Sequence, residues 1–157
     1  METEFINAVR EGRTADVSKM LEAKPDLISW KDQRGSNALL LATYYGHEDL
    51  VDTLLTKTDE VDTRDQAGNT ALMGVCFKGY EGIASKLINA GADVNITNFN
   101  GASALIYAAM FNKTEIVKLL LENNADTSAK DERGLTAKAH AQMQGNLGLA
   151  SIIESYE

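Results

Sequence analysis

The chain of 157 residues contains one cysteine, one proline, one tryptophan and two histidines, and its 23 acids outnumber its 15 bases. Each shortage excludes something. A lone Cys76 cannot form an intramolecular disulfide and fits a reducing compartment, so a cytoplasmic protein is expected. With no base beside it, Cys76 reads as a buried free thiol rather than a nucleophile. His47 and His140 lie far apart without neighbouring Cys, which makes a poor metal set; both are expected as surface or helix-capping residues. A net charge of -8 leaves no basic footprint for nucleic acid or an anionic membrane. No apolar run reaches the roughly 18 residues that a membrane-crossing helix needs. The start, Met1-Glu2-Thr3-Glu4, is acidic and unlike a secretory signal. Neither G-x-x-x-x-G-K nor G-x-G-x-x-G occurs, so no phosphate loop and no cofactor are expected.

What is present is repetition. Gly35, Gly68, Gly101 and Gly134 stand 33 residues apart. Asp32, Asp65, Asn98 and Asp131 precede them by three, giving a turn in which the acid or amide can bond its own backbone and Gly permits positive φ. Asn37, Thr70, Ser103 and Thr136 follow, all residues that cap a helix start. A short apolar helix comes next, closed at Gly46, Gly79, Asn112 and Gly145, with Asn able to take the left-handed backbone otherwise left to Gly. A second helix carries Leu50, Val51, Leu54 and Leu55 on one stripe, a pattern repeated in later copies. Gly91-Ala92-Asp93-Val94-Asn95 ends it in the third unit. Neither helix can bury its stripe alone, and stacking of like units supplies the missing partner.

These residues resemble the ankyrin repeat over essentially the whole chain. The resemblance implies an all-α solenoid of stacked helix-turn-helix units with projecting turn or hairpin fingers. It divides the chain into one domain, residues 1–157, with an N-terminal capping unit at 1–30, full repeats at 31–63, 64–96 and 97–129, and a C-terminal capping repeat at 130–157. The first unit matches with a step of 34, and the extra residue is placed near Lys24-Pro25-Asp26. Thr58-Asp59-Glu60 breaks the exit pattern of the second unit and predicts an irregular loop. The family's Thr-Pro-Leu-His becomes Thr70-Ala71-Leu72-Met73 and its equivalents, so apolar packing is expected where the family uses histidine hydrogen bonds. Lys138 and Glu154 place charge in two otherwise apolar columns, and the stack is expected to end there.

In ankyrin-like stacks the concave face is built from residues beside the turn glycine and those closing the first helix. Here that face collects Arg34, Tyr44, Tyr45, Phe77, Lys78, Phe99, Met110, Phe111 and Met143, including five of the chain's ten Phe, Tyr and Trp residues. Trp30 could extend the strip. Exposed apolar residues of these types mark interaction sites; the competing expectation is that some rings fold back into the core. The function expected is a non-catalytic module binding a partner protein, a monomer by itself. An acidic inhibitor or immunity-type protein masking a basic enzyme or toxin is the alternative, with a self-associating scaffold and an enzyme or small-molecule binder behind it. The acids at Glu48, Asp49, Asp52, Asp59, Glu60 and Asp62 read as a solvated face, with steering of a basic partner as their functional alternative.

Overall fold

A computed structural model describes all of residues 1–157. It holds ten α-helices and no strands. The inner row is α1 (Glu2–Arg10), α3 (Ala38–Tyr44), α5 (Ala71–Lys78), α7 (Ala104–Met110) and α9 (Ala137–Met143). The outer row is α2 (Thr14–Ala23), α4 (Glu48–Leu55), α6 (Glu81–Asn89), α8 (Thr114–Glu122) and α10 (Leu147–Glu154). Each inner helix packs on its own outer helix and on the next inner helix, and each outer helix packs on the next outer one. A single continuous core of 41 buried residues runs the length of this double row.

The local chemistry sets these boundaries. Asn37 Oδ1 accepts from the Leu40 N–H at 2.9 Å, and Thr70, Ser103 and Thr136 do the same for Met73, Ile106 and Ala139. Each thereby satisfies one of the free donors at a helix start. Asn112 and Asn124 adopt φ of 57° and 67°, the left-handed conformation that ends a helix. Pro25–Ser29 forms a 3₁₀ turn between α2 and the first finger, which accommodates the extra residue of the first unit. Leu40, Met73 and Ile106 are buried, so apolar contacts do occupy the positions where the family carries histidine. The segment at Thr58-Asp59-Glu60 has no regular structure and is held by a Glu60 N–H bond to Thr58 Oγ1.

The fingers are turns rather than strands. In every finger one side-chain oxygen, at Asp32, Asp65, Asn98 or Asp131, accepts two backbone N–H groups at 2.9–3.0 Å. One backbone bond then ties each finger to the next: Gln66 N–H to Arg34 O, Phe99 N–H to Ala67 O and Glu132 N–H to Asn100 O. Only an isolated bridge, Thr97 to Ser103, is sheet-like.

The two histidines divide. His47 caps: its Nε2 lies 2.6 Å from the Arg10 carbonyl oxygen at the end of α1. His140 does not fit the surface or capping expectation. It is buried on α9, with Nε2 2.7 Å from Asp131 Oδ2. The reason is register: α9 follows its finger so closely that position 140 points back beneath the turn acid nine residues earlier.

Candidate functional site

Residues of α1, α3, α5 and α7, with the first two fingers, line an 840 Å³ hollow on the inner face of the stack. The closing turns of α3 and α5 and the turn after α7 carry side chains out of the core onto this face. Tyr44 and Tyr45 leave α3 this way, Phe77 and Lys78 leave α5, and Phe111 follows α7. All five are exposed, with Tyr44, Tyr45 and Phe77 each exposed by 42–45% and Phe111 by 38%. Phe99 and Met143 are more open, at 69% and 60%. Arg34 stands exposed on the first finger.

The rings are arranged against one another. Phe77 meets Phe111 edge to face at 4.8 Å between centroids, and Phe111 lies parallel to Tyr107 at 6.4 Å. Tyr44 meets Tyr45 edge to face at 5.4 Å. The Lys78 ammonium sits 4.9 Å above the Tyr44 ring, a cation–π contact. Such ring–ring contacts hold these side chains against one another.

Of the residues expected to line the groove, Arg34, Tyr44, Tyr45, Phe77 and Phe111 surround the cavity together. Lys78, Phe99 and Met143 lie outside it on the surrounding surface. Met110 departs from expectation: it is half-buried, packs against the core and does not line the cavity. Trp30, also half-buried, does extend the wall. Sequence reasoning missed Ile6 and Arg10 from α1, Asp65 from the second finger, and Gly74 and Tyr107 from the inner helices. The signal for the last two was helical spacing. Positions 74 and 107 lie one turn before Phe77 and Phe111 and share their face.

The acids of the outer row lie elsewhere. Lys86 Nζ donates to Asp52 at 2.7 Å, and Asp62 accepts the Asp93 N–H at 3.1 Å. Glu48, Asp49, Asp59 and Glu60 are exposed to solvent, as a solvated face would be. Partial burial raises the Asp62 carboxyl above its ordinary pKa, against the pull of the Asp93 N–H. Cys76 is fully buried and burial pushes its thiol well up, which disfavours the reactive thiolate. No group of three or more His, Cys, Asp or Glu side chains is placed to hold a metal ion, and no helix is long and apolar enough to cross a membrane.

Comparison with known proteins supports the repeat architecture. A family model described as ankyrin repeats (3 copies) matches residues 5–98 and 75–155. Protein fem-1 homolog C of Xenopus laevis is 41% identical over 59 residues, or 35% of this chain and 10% of that protein. The chain thus spans only about a tenth of that relative's length.

Proposed function

The chain belongs to the ankyrin repeat family, whose repeats are generally protein–protein interaction modules, and from that premise we propose that it is a non-catalytic binding protein whose concave groove receives a partner protein. One observation carries the reading: Tyr44, Tyr45, Phe77 and Phe111, all more than a third exposed, converge around one 840 Å³ hollow. A folded chain gains nothing from leaving such rings in water, whereas a partner that covers them removes apolar area at about 25 cal/mol per Å². Phe99, Met143, Arg34 and Lys78 extend the contact surface around them, with half-buried Met110 at its margin. The charged members set orientation and association rate more than affinity.

The test is affinity capture from the source cell with the wild-type chain and with a Tyr45→Ala, Phe111→Ala variant. Capture of a specific partner falls in the variant while its thermal unfolding stays cooperative; equal capture by both chains rejects the groove. Sedimentation over a range of concentrations separates this monomeric binder from a scaffold that associates with itself. The net charge of -8 favours a second reading, an acidic inhibitor of a basic protein. In that case association slows steeply as salt rises, because screening removes long-range attraction.

A further inference from the structure

The four fingers share a design in which one member is incomplete. Nine residues after each turn acid or amide stands an inner-helix residue facing it: Leu41 after Asp32, Gly74 after Asp65, Tyr107 after Asn98 and His140 after Asp131. One side-chain oxygen of each turn residue holds the finger's backbone, which leaves the other atom of the group to be satisfied from elsewhere. Asp131 Oδ2 meets His140 Nε2 at 2.7 Å, and Asn98 Nδ2 donates to the Tyr107 hydroxyl at 3.0 Å. Asp32, opposite an apolar leucine, is met instead by the Arg10 guanidinium from α1 at 3.5 Å. Each of these carboxylates therefore has a planar base, and the amide has a phenol.

Asp65 is the exception. Its Oδ1 accepts from Ala67 and Asn69, while no hydrogen bond or ion pair of the chain reaches Oδ2. Its counterpart is Gly74, and a Cβ built there would meet nothing within 4 Å. The backbone does not require glycine, since Gly74 is not among the glycines with positive φ. Space is thus left where the two following repeats place a ring. Asp65 and Gly74 both line the 840 Å³ cavity, between walls that include Tyr44, Phe77 and Phe111.

We propose that this gap is a receptor for one planar cationic side chain, a guanidinium or imidazolium, which the partner protein inserts over Gly74 to reach Asp65. The proposal rests on the groove being the protein-binding face. Complementary charge selects the occupant: a carboxylate lacking its base, in a chain of net charge -8. The walls favour a flat, weakly hydrated cation over an ammonium because it can stack on rings while donating in its own plane. Lys78 over Tyr44 shows that one wall already takes a cation on its face. Arg10 does not oppose the insertion, since Asp32 neutralises it. Arg34 also lines the cavity, from the first finger, but its exposed guanidinium makes no ion pair there.

Amide NMR of the whole chain, titrated at constant ionic strength with methylguanidinium, imidazolium or methylammonium, tests this. Saturable shifts at the Asp65, Thr70 and Gly74 amides are expected with at least one planar cation, with methylammonium about tenfold weaker. Asp65→Asn abolishes the response and keeps the finger, because the amide oxygen still accepts from Ala67 and Asn69. Gly74→His supplies the missing base from within: it blocks the probes, and its imidazole titrates at higher pH than in the Gly74→His, Asp65→Asn double variant. The proposal falls if neither planar cation saturates these amides, if methylammonium binds as well, or if Asp65→Asn responds undiminished. It falls too if the imidazole introduced by Gly74→His titrates at the same pH with and without the Asp65 carboxylate. Such failure leaves the groove reading standing, because that reading is judged by partner capture with Tyr45 and Phe111.

Discussion

Asp131 and His140 are the ionisable pair most shielded from solvent, their side chains 8% and 6% exposed. Burial by itself raises the Asp131 pKa. The N–H of Leu135, the His140 imidazole and the N–H of Arg133 outweigh it, and the net effect is a pKa below the ordinary value. A depressed carboxyl pKa stabilises the fold fully above the unfolded value of about 4 and loses that contribution as pH falls through the lower folded value. Asp131→Asn keeps the bonds to the finger and removes the charge. Urea unfolding at neutral pH should show it less stable by about 1–3 kcal/mol, as when a charged partner is taken from a buried hydrogen bond. Below about pH 4 the difference should shrink. A gap that stays constant across that range would show that the Asp131 charge is not what stabilises the pair. The pair escaped the sequence reading because Leu41, Gly74, Tyr107 and His140 share no residue type. The column is defined by what it faces, and that emerges only when helix and finger are folded together.

At the scale of the element, two changes four residues apart on the same helix should have opposite signs. Thr70→Ala removes the cap from the start of α5 and costs about 1 kcal/mol. Gly74→Ala, in the same helix with open space around its Cβ, removes backbone freedom from the unfolded chain and gains about 0.5–1 kcal/mol. Denaturant midpoints for both variants check the pair of signs, and a loss of stability in Gly74→Ala would mean that the gap is not empty. Gly68→Ala should be worse than either. Its φ is 82°, and an added Cβ would lie 2.9 Å from the Phe99 backbone nitrogen, where neighbouring fingers touch. Strain and clash together predict a loss of more than about 1 kcal/mol. Helix starts, turn acids and left-handed stops such as Asn112 were legible because their signals act within about five residues of chain. Exposure of Tyr44, Tyr45, Phe77 and Phe111 was legible too, from their position at the end of each inner helix. The contribution of Ile6, Arg10 and Asp65 to the same hollow was not, since it depends on how far one unit overhangs the next.

Over the whole molecule, the double row makes stability a sum of units and their interfaces, with each unit touching only its neighbours. Leu72 is buried on α5, which packs between α3 and α7, whereas Ile153 is buried on α10 at one end of the stack. Both are fully enclosed, and truncation of either to alanine removes about 2–5 kcal/mol from its immediate surroundings. The consequences differ in reach. Leu72→Ala weakens contacts on both sides of the second finger, so the stack has no strong half to retain and unfolds as one at lower denaturant. Ile153→Ala loosens one end of the stack, α10 with the α9 and α8 it packs on. The single tryptophan, Trp30, lies at the opposite end beside α1 and the first finger, so it reports on the part left intact. In Ile153→Ala the loss of helical circular dichroism should therefore begin at lower denaturant than the change in Trp30 fluorescence, and in Leu72→Ala the two should coincide. Coincident transitions in Ile153→Ala would mean that coupling across the interfaces exceeds the cost of truncation, so that the chain behaves as one cooperative unit despite its linear architecture. The same coupling decides whether the groove remains rigid when one end frays, because its rings come from Trp30, α3, α5, α7 and the turn after α7, and none comes from α10.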